Sequence, residues 1–430
     1  MGMESIRSRR GGAGRRALCD LGDREKPRDA TRPQRARIRA SEAHVRMITK
    51  VHFQGFKLLR DVEFELGRFN VLVGENGTGK SSVLEGLHYL LQLAAPKTSF
   101  DSGPKGRLQA FFRGLREPKA LTSRPDGTRF HLSVATSEVR AYSVTWQADP
   151  GPARSDLSMS LERLGPGEGR YEADFTQPNW YDDSLLAKLA PLHLSSVVRL
   201  RLDATQLAND HYSDDQNPRV EYDGTGLASV LQELQNARDG RFDKIEADLQ
   251  KVVPAARRIR TTRAKIVRRE KIKITVDGQD SWSDQEKTYI GAGIEVEWGN
   301  VGWVPARHLS EGTLLALGLC TVLHHRPPSL ILLDDLDKAL HPKAQRELVQ
   351  LLKQVLASNP QLQILATTHS PFVVDEFAPE DVLVVASVDG TSSHVRRLSD
   401  HPKWSDKKGY LETGEFWSAV GERWVAEKRA

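Results

Sequence analysis

Phe69-Asn-Val-Leu-Val-Gly74-Glu75-Asn76-Gly77-Thr78-Gly79-Lys80-Ser81-Ser82 is the stretch of this 430-residue chain on which the reading of its fold turns. A largely apolar run of strand length passes directly into Gly-x-x-x-x-Gly-Lys-Ser, and from Ser81 to Gln92 the apolar residues recur at helical spacing. Strand, glycine-rich loop and helix in that order predict a phosphate-binding loop. Gly74, Gly77 and Gly79 permit a backbone wrap whose N–H groups point at phosphate oxygens, and the helix that follows turns its positive end toward the same anion. Lys80 is expected to neutralise the β- and γ-phosphates of ATP, and the Ser81 hydroxyl to ligate Mg2+. Glu75, Asn76, Thr78 and Ser82 complete the expected nucleotide-binding set.

Further along, the apolar strand Leu330-Ile-Leu-Leu ends in Asp334-Asp335. Adjacent carboxylates repel unless a cation or substrate uses them, so one is read as holding Mg2+ and the next as orienting an attacking water. Ahead of them, Leu309-Ser310-Glu311-Gly312-Thr313 opens a predicted helix, where the Ser310 side chain and the Gly312 N–H form an anion site. Alone, that pattern is only a helix cap. Thr367-Thr-His369-Ser-Pro ends the next apolar strand and places an imidazole where it reaches a γ-phosphate. A lone histidine is usually structural, and it is the order of the four elements that gives each its weight.

That order resembles the ABC-type ATPases of the SMC, RecF and OLD branch, in particular the short stand-alone AAA family ATPases without long coiled coils (AAA15/OLD-like). The matching residues are Phe53-Gln-Gly-Phe-Lys with Asp61-Val, Gly74 to Ser82, Leu309 to Thr313, Leu332 to Asp335 with Leu340-His341-Pro342, and Thr367 to Pro371. They span most of residues 47–395. The resemblance implies that two copies sandwich two ATP molecules, Ser310 and Gly312 of one contacting the γ-phosphate held by Lys80 and Ser81 of the other. It implies that Asp334 is the Mg2+-associated acid, Asp335 the residue that polarises water and His369 the switch histidine. Two departures matter. The family more often has Glu at the position of Asp335, one methylene longer, so slow hydrolysis is expected; and Leu315 stands where an arginine is frequent. The glutamine that links γ-phosphate to the inserted lobe has only Gln92 and Gln147 as candidates.

Around these motifs the pattern predicts an α/β P-loop NTPase with a mainly parallel core sheet, an antiparallel β subdomain and an inserted α/β lid or arm. Residues 1–46 read as a disordered basic leader: an upstream-extended start outside the native folded protein, an inert tail, or a nucleic-acid arm. They carry 13 Lys+Arg against 6 Asp+Glu, so the net charge of +5 becomes −2 over the rest of the chain. Residues 47–205 form an N-terminal ATPase lobe with antiparallel strands near 129–134 and 142–146. An inserted helical and basic-strand subdomain follows at 206–300, a C-terminal lobe with signature, double acid and histidine at 301–400, and an amphipathic helix within 401–430.

Arg257, Arg258, Arg260, Arg263, Lys265, Arg268, Arg269, Lys271 and Lys273 face a single acid, Glu270, within 257–273. The stripe is read as nucleic-acid binding or as a solvated face paired with acids such as Asp243, Glu246 and Asp248. Phe416 to Val425 is expected as one helix, docked on its own domain or anchoring a partner. His324 and His325, adjacent at a helix end, are expected at the surface. The longest uncharged apolar stretch, 312–323, is too short to span a bilayer. Two cysteines, Cys19 and Cys320, offer no disulfide framework, and the cytoplasm is the expected compartment.

The leading functional expectation is thus an ATP-dependent homodimeric ATPase that senses or clamps nucleic acid and controls a nuclease or other effector encoded nearby, in DNA maintenance or antiphage defence. A slow or non-hydrolysing ATP-bound scaffold is the second reading. A transporter ATPase, which needs a membrane subunit, is the third.

Overall fold

Every side chain of Phe69–Val73 is buried, and the architecture is built outward from that strand. The computed structural model describes residues 47–92, 121–123, 127–136, 139–148, 155–163, 169–174, 197–276, 279–338, 340–387, 389–407 and 410–427; the expected basic leader lies outside them.

In chain order, strands β1 (Ile48–Phe56), β2 (Leu59–Glu65) and β3 (Phe69–Val73) lead into α1 (Lys80–Gln92). Strands β4 (Arg129–Thr136), β5 (Val139–Ala148), β6 (Ser155–Arg163) and β7 (Gly169–Asp174) follow, then β8 (Val197–Leu200) and helices α2 (Ala204–Ala208), α3 (Leu227–Ala237) and α4 (Arg241–Val252). The long strands β9 (Ala256–Val276) and β10 (Gln279–Trp298), with β11 (Gly302–Pro305), precede α5 (Glu311–His325), β12 (Leu330–Leu333), α6 (Pro342–Ser358) and β13 (Gln363–Thr367). After the short α7 (Pro371–Val374) come β14 (Val382–Ser387), β15 (Ser393–Arg397), α8 (Trp404–Lys407) and α9 (Thr413–Val420).

Three sheets result among the described residues. The core sheet runs β15-β14-β3-β13-β12-β8, parallel except for β15 at one edge. Its strands read as apolar runs because both faces are covered. Val71, Val73, Ile331, Leu333, Ile364 and Ala366 pack with α3, α4, α5 and α6, whereas Leu72, Leu330, Leu332 and Leu365 pack with α1 and the antiparallel sheet. That second sheet, β2-β1-β4-β5-β6-β7, is antiparallel throughout. Gly86 lets α1 settle on it, since a Cβ there would lie 3.0 Å from the Phe53 ring.

The third sheet is a ribbon. β9 and β10 pair antiparallel along their whole length, with β11 beside β10 only at the root. Ala256, Ile259, Ala292, Ile294 and Val296 bury the root in the core shared with α3, α4 and α5. From Arg263 outward the described β9 side chains are half-buried or exposed.

Two sequence expectations are corrected. His325 is buried rather than at the surface, its Nε2 3.3 Å from Glu233, and His324 is half-buried with Nε2 2.7 Å from Asp248; α5 is covered on nearly all sides, so its end is covered too. Where one helix is expected over 416–425, α9 stops at Gly421 (φ 63) and a 3-10 turn, Arg423–Val425, follows.

Candidate functional site

The backbone after β3 turns through Gly74, Gly77 and Gly79 at φ 145, 78 and 102, a region that side chains with a Cβ rarely enter. A Cβ on Gly74 would lie 2.1 Å from the Val385 carbonyl oxygen, and one on Gly79 2.6 Å from Ser393 Oγ; at Gly77 only the dihedral demands glycine. Ser393 Oγ donates to the Thr78 carbonyl (2.6 Å) and Thr78 Oγ1 to the Glu75 carbonyl (2.9 Å), so β15 pins the loop from outside. Lys80 is buried and folded over the loop, donating to the carbonyls of Gly74 and Glu75, both at 2.8 Å. Burial lowers its pKa, and the charges of Asp335 and Asp334 oppose that shift.

The acids sit at the C-terminal end of β12, beside the loop, because β3, β13 and β12 are parallel neighbours. Asp334 Oδ1 accepts from Ser81 Oγ (3.0 Å) and from Thr367 Oγ1 (2.9 Å), and Thr367 Oγ1 in turn accepts from the Asp335 N–H (2.8 Å). Asp335 adopts φ 59, a left-handed conformation that Asp tolerates better than most residues. Each carboxylate meets a cation from the edge of the sheet: Arg199 Nη2, on β8, lies 3.5 Å from Asp334 Oδ2, while Arg201, immediately after β8, brings Nε to 3.1 Å and Nη2 to 3.0 Å of Asp335 Oδ2. Asp337 Oδ1 accepts from Thr368 Oγ1 (2.6 Å) and the His369 N–H (3.1 Å), which ties the histidine turn to the acid loop.

These groups surround a cleft of about 530 Å³ lined by Asn76, Gly77, Gly79, Lys80, Ser81 and Ser82 on the loop side, and by Arg201, Asp335, Asp337, Lys338 and His369. Paired with a carboxylate 3.0 Å away, the Ser81 hydroxyl offers hard oxygen ligands of the kind Mg2+ takes. Lys80 and the left-handed loop offer what a polyphosphate needs. The expected residues Lys80, Ser81, Ser82, Asp335 and His369 therefore share one cleft. Ser310 and Gly312 are not among its lining; Ser310 is exposed and caps α5 through the Thr313 N–H (3.3 Å). Gln92 and Gln147 do not line it either.

Sequence reasoning missed Arg199, Arg201, Asp337 and Lys338. The alternation Val197-Val-Arg-Leu-Arg-Leu was a strand signal, but nothing local marks its arginines as facing carboxylates more than 130 positions away.

The basic stripe divides on inspection. Arg260 pairs with Glu295 (Nε–Oε2 2.7 Å) and lies 4.2 Å over the Trp303 ring; Arg269 pairs with Glu286 (3.1 Å). Arg268 donates to the Tyr212 carbonyl (2.8 Å) beside the stacked Tyr212 and Tyr289 rings, and Arg257 reaches Asn300 (3.4 Å). Arg258, Arg263, Lys265 and Lys271 are exposed and make no ion pair among the described residues. The side chain of Lys273 lies outside those described. Asp248 is engaged by Lys251 and His324, and Glu246 by the Ile259 N–H (2.6 Å). Exposed Val267, Trp282 and Ile290 interleave with the cations on the ribbon.

Fold and cleft together define a P-loop ATPase of the SMC/RecF/OLD-like AAA type. The chain belongs to the family described as "AAA domain, putative AbiEii toxin, Type IV TA system", whose model matches residues 69–375. Among curated proteins it is 21% identical over 401 residues to "Retron Vc95 probable ATPase" of Vibrio cholerae serotype O1 biovar El Tor, covering 82% of this chain and 75% of that protein. It is 39% identical over 69 residues to "Septu protein PtuA" of Bacillus thuringiensis, a match covering 16% of this chain and only 17% of that protein. Among solved structures, the Smc head domain with an extended coiled coil, bound to the C-terminal domain of ScpA derived from Pyrococcus furiosus, aligns with a TM-score of 0.50 at 14% identity, covering 84% of this chain and 98% of that one. At that identity the likeness is one of fold. No helix among the described residues is long and apolar enough to cross a membrane.

Proposed function

We propose that this ATPase binds Mg-ATP in the 530 Å³ cleft, dimerises around two nucleotides, hydrolyses them slowly, and uses that cycle in the cytoplasm to couple nucleic acid to a partner effector. The observation that carries the reading is the division of the motifs. Lys80, Ser81, Asp335 and His369 share one cleft, with Asp334 hydrogen-bonded to Ser81 behind it, while the exposed Ser310 and the half-buried Gly312 stand at the start of a separate helix. A second copy supplying Ser310 and Gly312 to the γ-phosphate would complete the cleft. In this reading Asp334 and Ser81 hold Mg2+, Lys80 binds the β- and γ-phosphates, Asp335 polarises the attacking water and His369 senses the γ-phosphate.

Nucleic acid enters through the ribbon, whose exposed Arg258, Arg263, Lys265 and Lys271, without an ion pair among the described residues, suit phosphate contacts without sequence preference. The effector enters through the relatives: the similarity to a Septu protein and a retron ATPase supports a role in antiphage defence. The test is sedimentation of the Asp335→Asn variant, which should bind ATP without turning it over. A monomer that becomes a dimer only with ATP and Mg2+, and stays monomeric after Ser310→Arg, supports the proposal; a monomer under all conditions overturns the dimer. The second reading, a non-hydrolysing scaffold, draws on the shorter reach of Asp335 and its engagement by Arg201.

A further inference from the structure

Arg201 is the one cleft-lining cation whose partner is the proposed water-polarising acid. Its guanidinium places two nitrogens, at 3.1 and 3.0 Å, on the same Asp335 oxygen. Its side chain is 54% exposed, so little packing holds it there, and an exposed pair of this kind is weak. The backbone that carries it is fixed: the Arg201 N–H donates to the Tyr222 carbonyl (2.8 Å), and β8 is hydrogen-bonded along β12. Lys80 shows the same logic, since its ammonium is occupied by two loop carbonyls that a polyphosphate would displace. A guanidinium is the side chain best shaped to exchange a carboxylate for a phosphate, because both present paired oxygens to its fork.

We propose that Arg201 is a phosphate-sensing residue: on ATP binding its guanidinium leaves Asp335 for the terminal phosphate, which frees the Asp335 carboxylate to orient water only when a γ-phosphate is present. No bond is made or broken in this step; one ion pair is exchanged for another. The inference rests on the proposed ATP site. It predicts discrimination between ATP and ADP from within a single copy of the chain, independently of Ser310 and Gly312.

The experiment measures Kd for ADP and for a non-hydrolysable ATP analogue, with Mg2+, on the full chain and on Arg201→Ala, Arg201→Lys and Lys80→Ala. Arg201→Ala should weaken the ATP analogue about tenfold while leaving ADP within a factor of two, and Arg201→Lys should restore part of the difference. A cycle with Asp335→Asn adds a readout that a structural role would not move. Removing the competing carboxylate should tighten the ATP analogue at least about fivefold more when Arg201 is present than in the Arg201→Ala background. An unchanged analogue-to-ADP ratio in Arg201→Ala, or equal effects of Asp335→Asn in both backgrounds, overturns the inference while Lys80-dependent binding still stands. Loss of nucleotide binding by the unaltered chain would instead overturn the ATP site itself, and the inference with it.

Discussion

Ser81 Oγ and Asp334 Oδ1 lie 3.0 Å apart although 253 residues separate them in the chain. They meet because β3 and β12 flank β13 in one parallel sheet, so the loop after one and the acid after the other emerge on the same edge. In α/β sheets ligands gather there.

Ser81→Ala separates a metal-ligand role from a structural one. Asp334 keeps its bonds to Thr367 and Arg199, so the apoprotein should lose no more than about 1 kcal/mol, the net worth of one hydrogen bond. Turnover at subsaturating Mg2+ should fall roughly 10- to 100-fold, as expected when a metal ligand or its support is removed. Equal Mg2+ dependence in the two proteins would take Ser81 out of the metal site.

Asp335→Glu tests reach. A misplacement of about 1 Å at a reacting group costs up to ~10²-fold, so the longer side chain should raise kcat at least about fivefold. Because residue 335 sits at φ 59, Glu should also destabilise the fold by about 1 kcal/mol. Steady-state turnover together with a urea titration reads both effects. A kcat that does not rise removes the short side chain as a cause of the proposed slow hydrolysis.

His88, half-buried on α1, makes stability depend on acid. Burial, with the charge of Arg199 behind it, pushes its pKa down to about 4 from 6.5, and its Nδ1 has no hydrogen-bond partner among the described residues. Below pH 6.5 the unfolded chain takes up a proton that the folded chain refuses until about pH 4. The stability is therefore present above the ordinary value and lost as pH falls through this window, by up to about 3 kcal/mol. Urea midpoints at pH 7.5 and 5.0 should differ less in His88→Gln than in the parent; an identical difference would show that other groups govern the acid limb.

Much of this was legible in the sequence, because its signals are local. The glycine spacing at 74, 77 and 79, the apolar runs of β3, β12 and β13, and the double acid each carry their meaning within a few residues. Arg201 does not. Its role depends on β8 pairing with β12 across 130 intervening residues, and in the sequence it looks like the solvent side of a strand. His325 misleads for the opposite reason: α5 is apolar almost all round, so no polar face marks which of its ends is covered. The ribbon reads as basic, but the split between cations engaged by Glu286 or Glu295 and those without an ion pair among the described residues needs the β9–β10 register.

That split predicts a salt dependence. Replacing Arg263, Lys265 and Lys271 together with Ala should weaken duplex DNA binding and lower the slope of log K against log salt by about 0.9 for each phosphate no longer neutralised, close to 3 in all. Replacing the Glu-paired Arg269 should change the slope by much less. Equal slopes in the triple variant and the parent would place any nucleic-acid interface elsewhere.

The proposed coupling of a Lys80-dependent ATPase to nucleic acid is read by steady-state ATP turnover with and without double-stranded DNA, with Lys80→Ala as background. Slow turnover that DNA stimulates and that Lys80→Ala abolishes in both conditions is the expected result. Turnover that survives Lys80→Ala, or that stays at background with and without DNA, would contradict it.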